Sequence, residues 1–328
     1  MRRPPIRLTA IMTAAFSRVS LGASDLSVSP LSLGGNVFGW TADQQQSFAV
    51  LDAYTAAGGN FVDTADVYSA WAPGNAGGES ETVIGDWLRS RGRRDDVVIA
   101  TKVGMHPEAR GLSAANIKAS AEGSLRRLGV EHIDLYYTHR DDETPVEEFV
   151  TALDELVREG KVRAVAASNI SAERLAEALA FSEREGLAAY VAVQPHYNLV
   201  SRAIFEGPLA EVVARHGLAT VPYYALASGF LTGKYRPGGP DVTSARAEGA
   251  ARYLAEPRGP KVLDALDAVA AEHGVELATV ALAWLTARPT VAAPIASART
   301  VEQLPPLLAA AALELTPAQT ALLDDASA

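Results

Sequence analysis

One regularity limits the folds open to this 328-residue chain: short strand-type apolar runs alternate with helical segments, and the alternation repeats eight times. The runs lie at 31–33, 60–62, 97–101, 133–138, 162–167, 190–193, 218–221 and 291–295. Between them, stripes such as Val83, Ile84, Trp87 and Leu88 recur at helical spacing. Strand–helix alternation implies parallel strands. Eight such units in a chain of this length fit a closed (β/α)8 TIM barrel of the α/β class. A β-hairpin around Gly22 and Asp25 precedes the barrel, and extra helices near 301–311 and 317–325 follow it. No linker divides the chain, so 16–328 reads as a single domain. The rival is an open doubly wound sheet, which usually binds a dinucleotide through Gly-x-Gly-x-x-Gly. That pattern is absent, and the loop GFLTGK at 229–234 is one residue too short for a P-loop.

Two local expectations follow. Thr144-Pro145-Val146-Glu147 reads as a capping box with proline in the first helical turn. Residues 226–260 show no clear period, which suggests a long functional or disordered loop.

Composition narrows the function. With 48% hydrophobic and 21% charged residues the chain has the make-up of a soluble globular protein. A net charge of −10 argues against a nucleic-acid partner or an anionic membrane surface. The absence of cysteine excludes disulfides, thiolate metal sites and cysteine nucleophiles, and fits a cytoplasmic location. No apolar run approaches the roughly 20 residues of a membrane span. Residues 1–15 carry positive charge around an interrupted apolar segment and read as a disordered lead, with Met12 as a second candidate start.

In such a barrel the C-terminal strand ends converge on one face, where active sites sit. The polar residues at those ends are Asp63, Lys102, His139, Ser168, Asn169 and Gln194, with Tyr68 just beyond the second strand. Each alone has an ordinary structural role. Together they suit hydride addition to a carbonyl, in which negative charge develops on oxygen and a proton donor must meet it. Tyr68 supplies the proton. A free phenol has a pKa of about 10, so Lys102 is expected to lower it, with Asp63 holding the lysine. His139 orients the carbonyl as a neutral donor. Two other chemistries use the same residues. A Schiff-base aldolase would employ Lys102 in an apolar pocket, unpaired with Asp63. A metal-dependent hydrolase would draw on His139, His196 and Asp63, but no clustered ligand motif occurs and no metal site is expected.

At these residues the sequence resembles the aldo-keto reductase superfamily, over about residues 19–323. The resemblance is carried, in matching order, by FVDTADVYS, GGESETVIGDWL, VVIATKVG, SLRRLG, IDLYYTHRDDETPVEE, GKVRAVAASN, VQPHYNLVSR, ALASGFLTGKY and PIASARTVEQL. It is nearest to bacterial members on the branch that includes potassium-channel β subunits. The resemblance implies a barrel that binds extended NADPH (NADP+) without a Rossmann motif, with NADH as the alternative cofactor. It implies a catalytic tetrad of Asp63, Tyr68, Lys102 and His139. It places cofactor contacts at Gly35, Asn36, Asp63, Ser168, Asn169, Gln194, Tyr223, Tyr224, Leu226, Ser228, Lys234, Arg246, Ile295, Arg299 and Gln303. Among these, Ser168, Asn169 and Gln194 match the carboxamide positions, and Tyr223 the ring that stacks on nicotinamide. Arg299 matches a position near the adenosine 2′-phosphate and favours NADP, because guanidinium grips a phosphate dianion bidentately.

Two departures bear on the cofactor. Pro306-Leu307 stands where a Glu-Asn pair is usual, and Tyr223-Tyr224-Ala225-Leu226 replaces a Tyr-Ser-Pro-Leu stretch. The implied function is reduction of an aldehyde or ketone, with a cofactor-binding regulatory subunit as the alternative. The implied partner is a small carbonyl substrate; oligomeric state is not readable. Candidates for the substrate pocket are Phe38, Trp40, Tyr68 to Trp71, Met105, His106, Arg140 and Tyr224. Trp40 and Trp71 either wall the pocket or pack a loop. Arg140 either binds an anionic substrate group or pairs with Asp141 and Asp142, and the adjacency of those acids favours pairing.

Overall fold

Eight parallel strands form the centre of the computed structural model, which describes residues 16–236, 238 and 246–328. The disordered lead expected at 1–15 lies outside the described residues. The strands are β3 (Ser32–Gly34), β4 (Phe61–Asp63), β5 (Val98–Val103), β8 (Ile133–Thr138), β9 (Val162–Ser168), β10 (Tyr190–Gln194), β11 (Ala219–Thr220) and β12 (Ile295–Ala296). They pair in the order β11-β10-β9-β8-β5-β4-β3-β12. The two ends of that row meet: Thr220 donates to the Thr290 carbonyl at 2.8 Å, and Ile295 to that of Pro222 at 2.8 Å. The sheet curls back on itself as a (β/α)8 barrel. The last strand is shorter than the expected 291–295, because Pro294 has no N–H to give to a ladder.

Alternation along each strand sorts its side chains into two cores. Phe61, Val98, Ala100, Leu135, Tyr137, Ala164, Ala166 and Ala192 face inward and fill the barrel. Val62, Ile99, Tyr136, Val165 and Val193 face outward, under the surrounding helices. Continuing the inward phase to the strand ends gives Asp63, Lys102, His139, Ser168 and Gln194. The strand period therefore aims all five at the barrel axis.

The N-terminal hairpin, β1 (Val19–Ser20) and β2 (Ser27–Val28), closes the opposite end, with Leu21, Leu26 and Val28 packed on the inner core. A second hairpin pairs β6 (Met105–His106) with β7 (Ala109–Arg110), just past β5. The last two helices, Leu304–Ala309 and Pro317–Ser327, extend beyond β12. Among the described residues no single helix is long and apolar enough to cross a membrane.

Two local expectations need correction. The helix expected to open with a capping box at Thr144 runs Val146–Arg158, with Pro145 as its N-cap and no side-chain cap. Thr144 sits one residue too early. Its N–H goes to Asp142 and its carbonyl accepts from Arg174. Residues 226–260 are not one loop: a 3-10 turn at Ala227–Thr232 and helices Ala247–Ala255 and Arg258–His273 occupy much of it. The turn itself has no helical period, because Ser228 at φ 57° and Gly229 at φ 87° are left-handed.

Tyr54, on the helix Gln44–Ala56, sets the start of β4. Its buried hydroxyl lies 2.7 Å from the Leu31 carbonyl and 3.0 Å from that of Phe61, and accepts from the Phe61 N–H at 3.2 Å. Gly59 is required beside it, since a Cβ there would come within 2.3 Å of the ring. Tyr54→Phe takes the hydroxyl from the buried Phe61 N–H, while the Leu31 carbonyl keeps Ser29 Oγ at 2.9 Å, and should cost about 1–3 kcal/mol in denaturant unfolding. An unchanged midpoint would show that the hydroxyl contributes nothing.

Candidate active site

A cavity of about 810 Å³ opens at the C-terminal strand ends, and Asp63, Tyr68, His139, Ser168, Asn169 and Gln194 line it. A smaller one, about 390 Å³, lies at the opposite end of the strands, where Asp134 pairs with Arg94 and Arg163. Residues at that end of a barrel hold the fold together, so the larger cavity is the candidate site.

Its floor is one hydrogen-bonded cluster. The Lys102 ammonium directs its three protons to Asp63 Oδ2 at 2.7 Å, the Thr64 carbonyl at 2.7 Å and Tyr68 Oη at 2.8 Å. Tyr68 donates to Asp63 Oδ2 at 3.1 Å, and Gln194 Nε2 to Asp63 Oδ1 at 2.9 Å. Lys102 is 0% exposed and Asp63 1%. An unpaired amine for Schiff-base chemistry is thus not what this lysine offers. Among the described residues no group of three or more His, Cys, Asp or Glu side chains could hold a metal.

The electrostatics differ in one respect from expectation. Burial pulls the Lys102 pKa down, with Asp63 opposing. Burial also raises the Tyr68 phenol well above its ordinary value, and the neighbouring Asp63 raises it further. The expected lowering of this phenol by Lys102 is not found, because desolvation and a carboxylate acceptor outweigh the ammonium. Tyr68 holds its proton. His139, its ring centroid 6.0 Å from that of Tyr68, is kept neutral by burial and then by the charges of Lys102 and Arg140. Its Nδ1 is buried without a partner.

The remaining candidates fall in three groups. Ser168, Asn169, Gln194 and Tyr223 interlock: Ser168 donates to the Gln194 carbonyl, Asn169 to Ser168 Oγ, and Tyr223 to Asn169 Oδ1 at 2.7 Å. Tyr224, Leu226, Ser228, Lys234 and Arg246 line the cavity along the segment after β11. Tyr224 takes φ 54°, and Asn198 holds its carbonyl at 2.9 Å. Asn36, Ile295, Arg299 and Gln303 line the far end, where Gln303 Oε1 accepts from the Arg299 N–H. Pro306 and Leu307 are there too.

Gly35 is not among the residues that line the cavity. It lies out of phase with the inward set and packs outward, where a Cβ would meet Ser80 Oγ at 2.9 Å. Gly34 and Ser297 line the cavity instead, and Ser297 donates to Asn36 Oδ1 at 2.7 Å. Both were open to discovery by counting strand phase one residue further. Among the substrate-pocket candidates, Trp40, Trp71, Met105 and Tyr224 line the cavity. Phe38 is fully buried in the outer core, and the His106 ring turns to the Glu108 N–H.

Asp66 was missed altogether. Its backbone N–H reaches the Lys102 carbonyl, and both carboxylate oxygens are buried without a partner. Burial, then the charge of Glu81, pushes its pKa up from 3.8 to about 7, with Arg127 opposing. Between those values the native protein keeps a proton that the unfolded chain releases, so stability falls as pH rises through that window and stays lower above it. The loss should approach roughly 4 kcal/mol. Asp66→Asn should flatten unfolding free energy between pH 5 and 8 relative to the parent chain. Parallel pH profiles would show that Asp66 ionises normally.

Comparison with known proteins supplies the family. Residues 30–328 match the aldo/keto reductase family. The chain is 37% identical over 296 residues to a probable voltage-gated potassium channel subunit beta of Oryza sativa, covering 87% of this chain and 88% of that one. It is 35% identical to the uncharacterized oxidoreductase YrpG of Bacillus subtilis, covering 93% and 94%. It is 31% identical to the norsolorinic acid reductase stcV of Emericella nidulans, covering 94% and 81%. The chain belongs to the aldo-keto reductase family of oxidoreductases.

Proposed function

We propose that this protein reduces an aldehyde or ketone to the alcohol with NADPH, using Tyr68 as the proton donor. The observation that carries the reading is the Asp63–Lys102–Tyr68 cluster, with His139 beside it, at the floor of a cavity that Lys234, Arg246 and Arg299 also line. Tyr68 keeps its proton at neutral pH and so can give it up only to a strong base, such as an oxygen gaining negative charge. Lys102 already donates to Tyr68 Oη and would stabilise the phenolate left behind. A neutral His139 with its proton on Nε2 donates to the same oxygen and orients it. Tyr68→Phe should lower kcat by about 10²–10⁴ while the NADPH Kd stays within a few-fold. Aldehyde reduction at close to the parent rate would refute the assignment.

The donor set suits a dinucleotide. The Asn169–Tyr223 hydrogen bond fixes the Tyr223 ring at the cavity wall, as a platform for nicotinamide. Gln194 spends its amide N–H on Asp63 and keeps Oε1 for a carboxamide. Lys234 and Arg246 would hold the pyrophosphate, and Arg299 the 2′-phosphate, positive groups lining a cavity in a chain of net charge −10. Bound there, NADPH supplies the hydride. Pro306 and Leu307 give adenosine an apolar surface, and NADH is admitted as the weaker cofactor.

Two experiments test this reading. NADPH consumption over a panel of aldehydes, ketones and keto-sugars should find turnover. Tight nucleotide binding with no substrate reduced would instead make the chain a cofactor-holding subunit; its plant relative is named as a probable channel subunit. Arg299→Ala should raise the Kd for NADPH by about tenfold and leave that for NADH nearly unchanged. Equal losses would remove Arg299 from the phosphate site.

A further inference from the structure

Arg140 follows His139 at the rim of the cavity, exposed and lining it. The acids beside it were expected to neutralise it, and the structure overturns that. Asp141 presents both oxygens to Arg174, each at 3.2 Å. Asp142 accepts from the Thr144 N–H through Oδ1 and from the Leu112 N–H through Oδ2, both at 2.9 Å. Among the described residues no carboxylate lies within ion-pair distance of the Arg140 guanidinium. A charged fork therefore stands unpaired at the mouth of the site, while its sequence neighbours are committed elsewhere.

Its position relative to the chemistry is informative. Arg140 shares the cavity lining with Tyr68, His139 and Tyr223, and its charge weighs on both the His139 imidazole and the Tyr223 phenol. The guanidinium thus borders the space where a carbonyl held by Tyr68 and His139 would extend. Trp40 and Trp71, edge to face at 5.6 Å, stand in the same cavity, with Trp71 48% exposed and 6.0 Å from the Tyr68 ring. Of the carboxylates lining the cavity, Asp63 is bound to Lys102, Glu302 lies in the turn Val301–Gln303 and Glu276 caps the helix Leu277–Thr286. Among the described residues no carboxylate that lines the cavity is paired with Arg140.

Building on the reductase reading above, we propose that the substrate is a carbonyl compound carrying a carboxylate, and that Arg140 binds that carboxylate while the aromatic wall takes the apolar body. A guanidinium fork pairs with a carboxylate through two parallel hydrogen bonds, and in a cavity partly shielded from water such a pair is stronger than on an open surface. Arg140 is then a specificity determinant, separate from the groups that transfer the proton.

The test uses the full chain with NADPH and three aldehydes: 4-carboxybenzaldehyde, its methyl ester, and neutral 4-nitrobenzaldehyde. The acid should be preferred over the ester by about tenfold or more in kcat/KM, mainly through KM. Arg140→Gln should bring that ratio to about one, and Arg140→Lys should retain part of it. Titration of each variant with NADPH by protein fluorescence separates loss of selectivity from loss of fold. Ester and nitro compound reduced as well as the acid, or a preference that survives Arg140→Gln, would overturn the assignment of Arg140 alone. If none of the three is reduced, the carboxylate assignment is overturned, and the reductase reading is decided by the wider carbonyl panel.

Discussion

Everything at the cavity floor hangs on an ion pair taken out of water. Asp63 and Lys102 meet at 2.7 Å with almost no exposure. Removing two charges from solvent is costly, and their attraction offsets that only when the remaining donors and acceptors are satisfied. Here they are: the ammonium has three acceptors, and the carboxylate takes protons from Lys102, Tyr68 and Gln194. Deleting either partner would leave an uncompensated buried charge, an effect of about 3–5 kcal/mol. The pair contributes little net stability by itself. What it supplies is a fixed geometry, because neither group can move without orphaning the other.

The barrel makes that geometry available to residues far apart in the chain. Gln194 reaches Asp63 across 131 positions, and Asp63 reaches Lys102 across 39. The only rule needed is the two-residue period of a strand. Phe61 and Asp63, Ala100 and Lys102, Tyr137 and His139, Ala166 and Ser168, Ala192 and Gln194 are each one period apart. In each pair the first member fills the inner core and the second lines the site or its floor. Packing below and chemistry above are thus the same face of the same strands.

That rule also explains what could be read from the sequence and what could not. Strand ends are visible as apolar runs that stop at a polar residue, so the floor was legible. Gly34 was passed over in favour of Gly35 because the end of β3 is all glycine, where no side chain marks the phase. Ser297 was passed over because it follows the last strand where Pro294 had already shortened the ladder. Asp66 was invisible for a different reason: it lies past the end of β4, and the charges that weigh on it, Glu81 and Arg127, come from two separate helices. Arg140 was misjudged because adjacency in sequence favoured Asp141 and Asp142. The structure shows that both acids are spent on the next loop and on Arg174, thirty or so residues away.

The raised phenol changes how the proposed chemistry is best understood. A phenol brought down toward neutrality would be partly ionised before the substrate arrived, and a phenolate has no proton to give. Held up by burial and by Asp63, Tyr68 enters as the neutral acid. The charge it must shed appears only as the carbonyl oxygen becomes negative, and the Lys102 ammonium is already in place at 2.8 Å to receive it. The ammonium then interacts more strongly with the phenolate than with the phenol, so its contribution falls on the transition state rather than the resting site. Neutral His139 fits the same scheme. A second cation beside Lys102 would have been costly in a buried site, whereas an uncharged N–H donor can follow the growing charge on oxygen without adding to that cost.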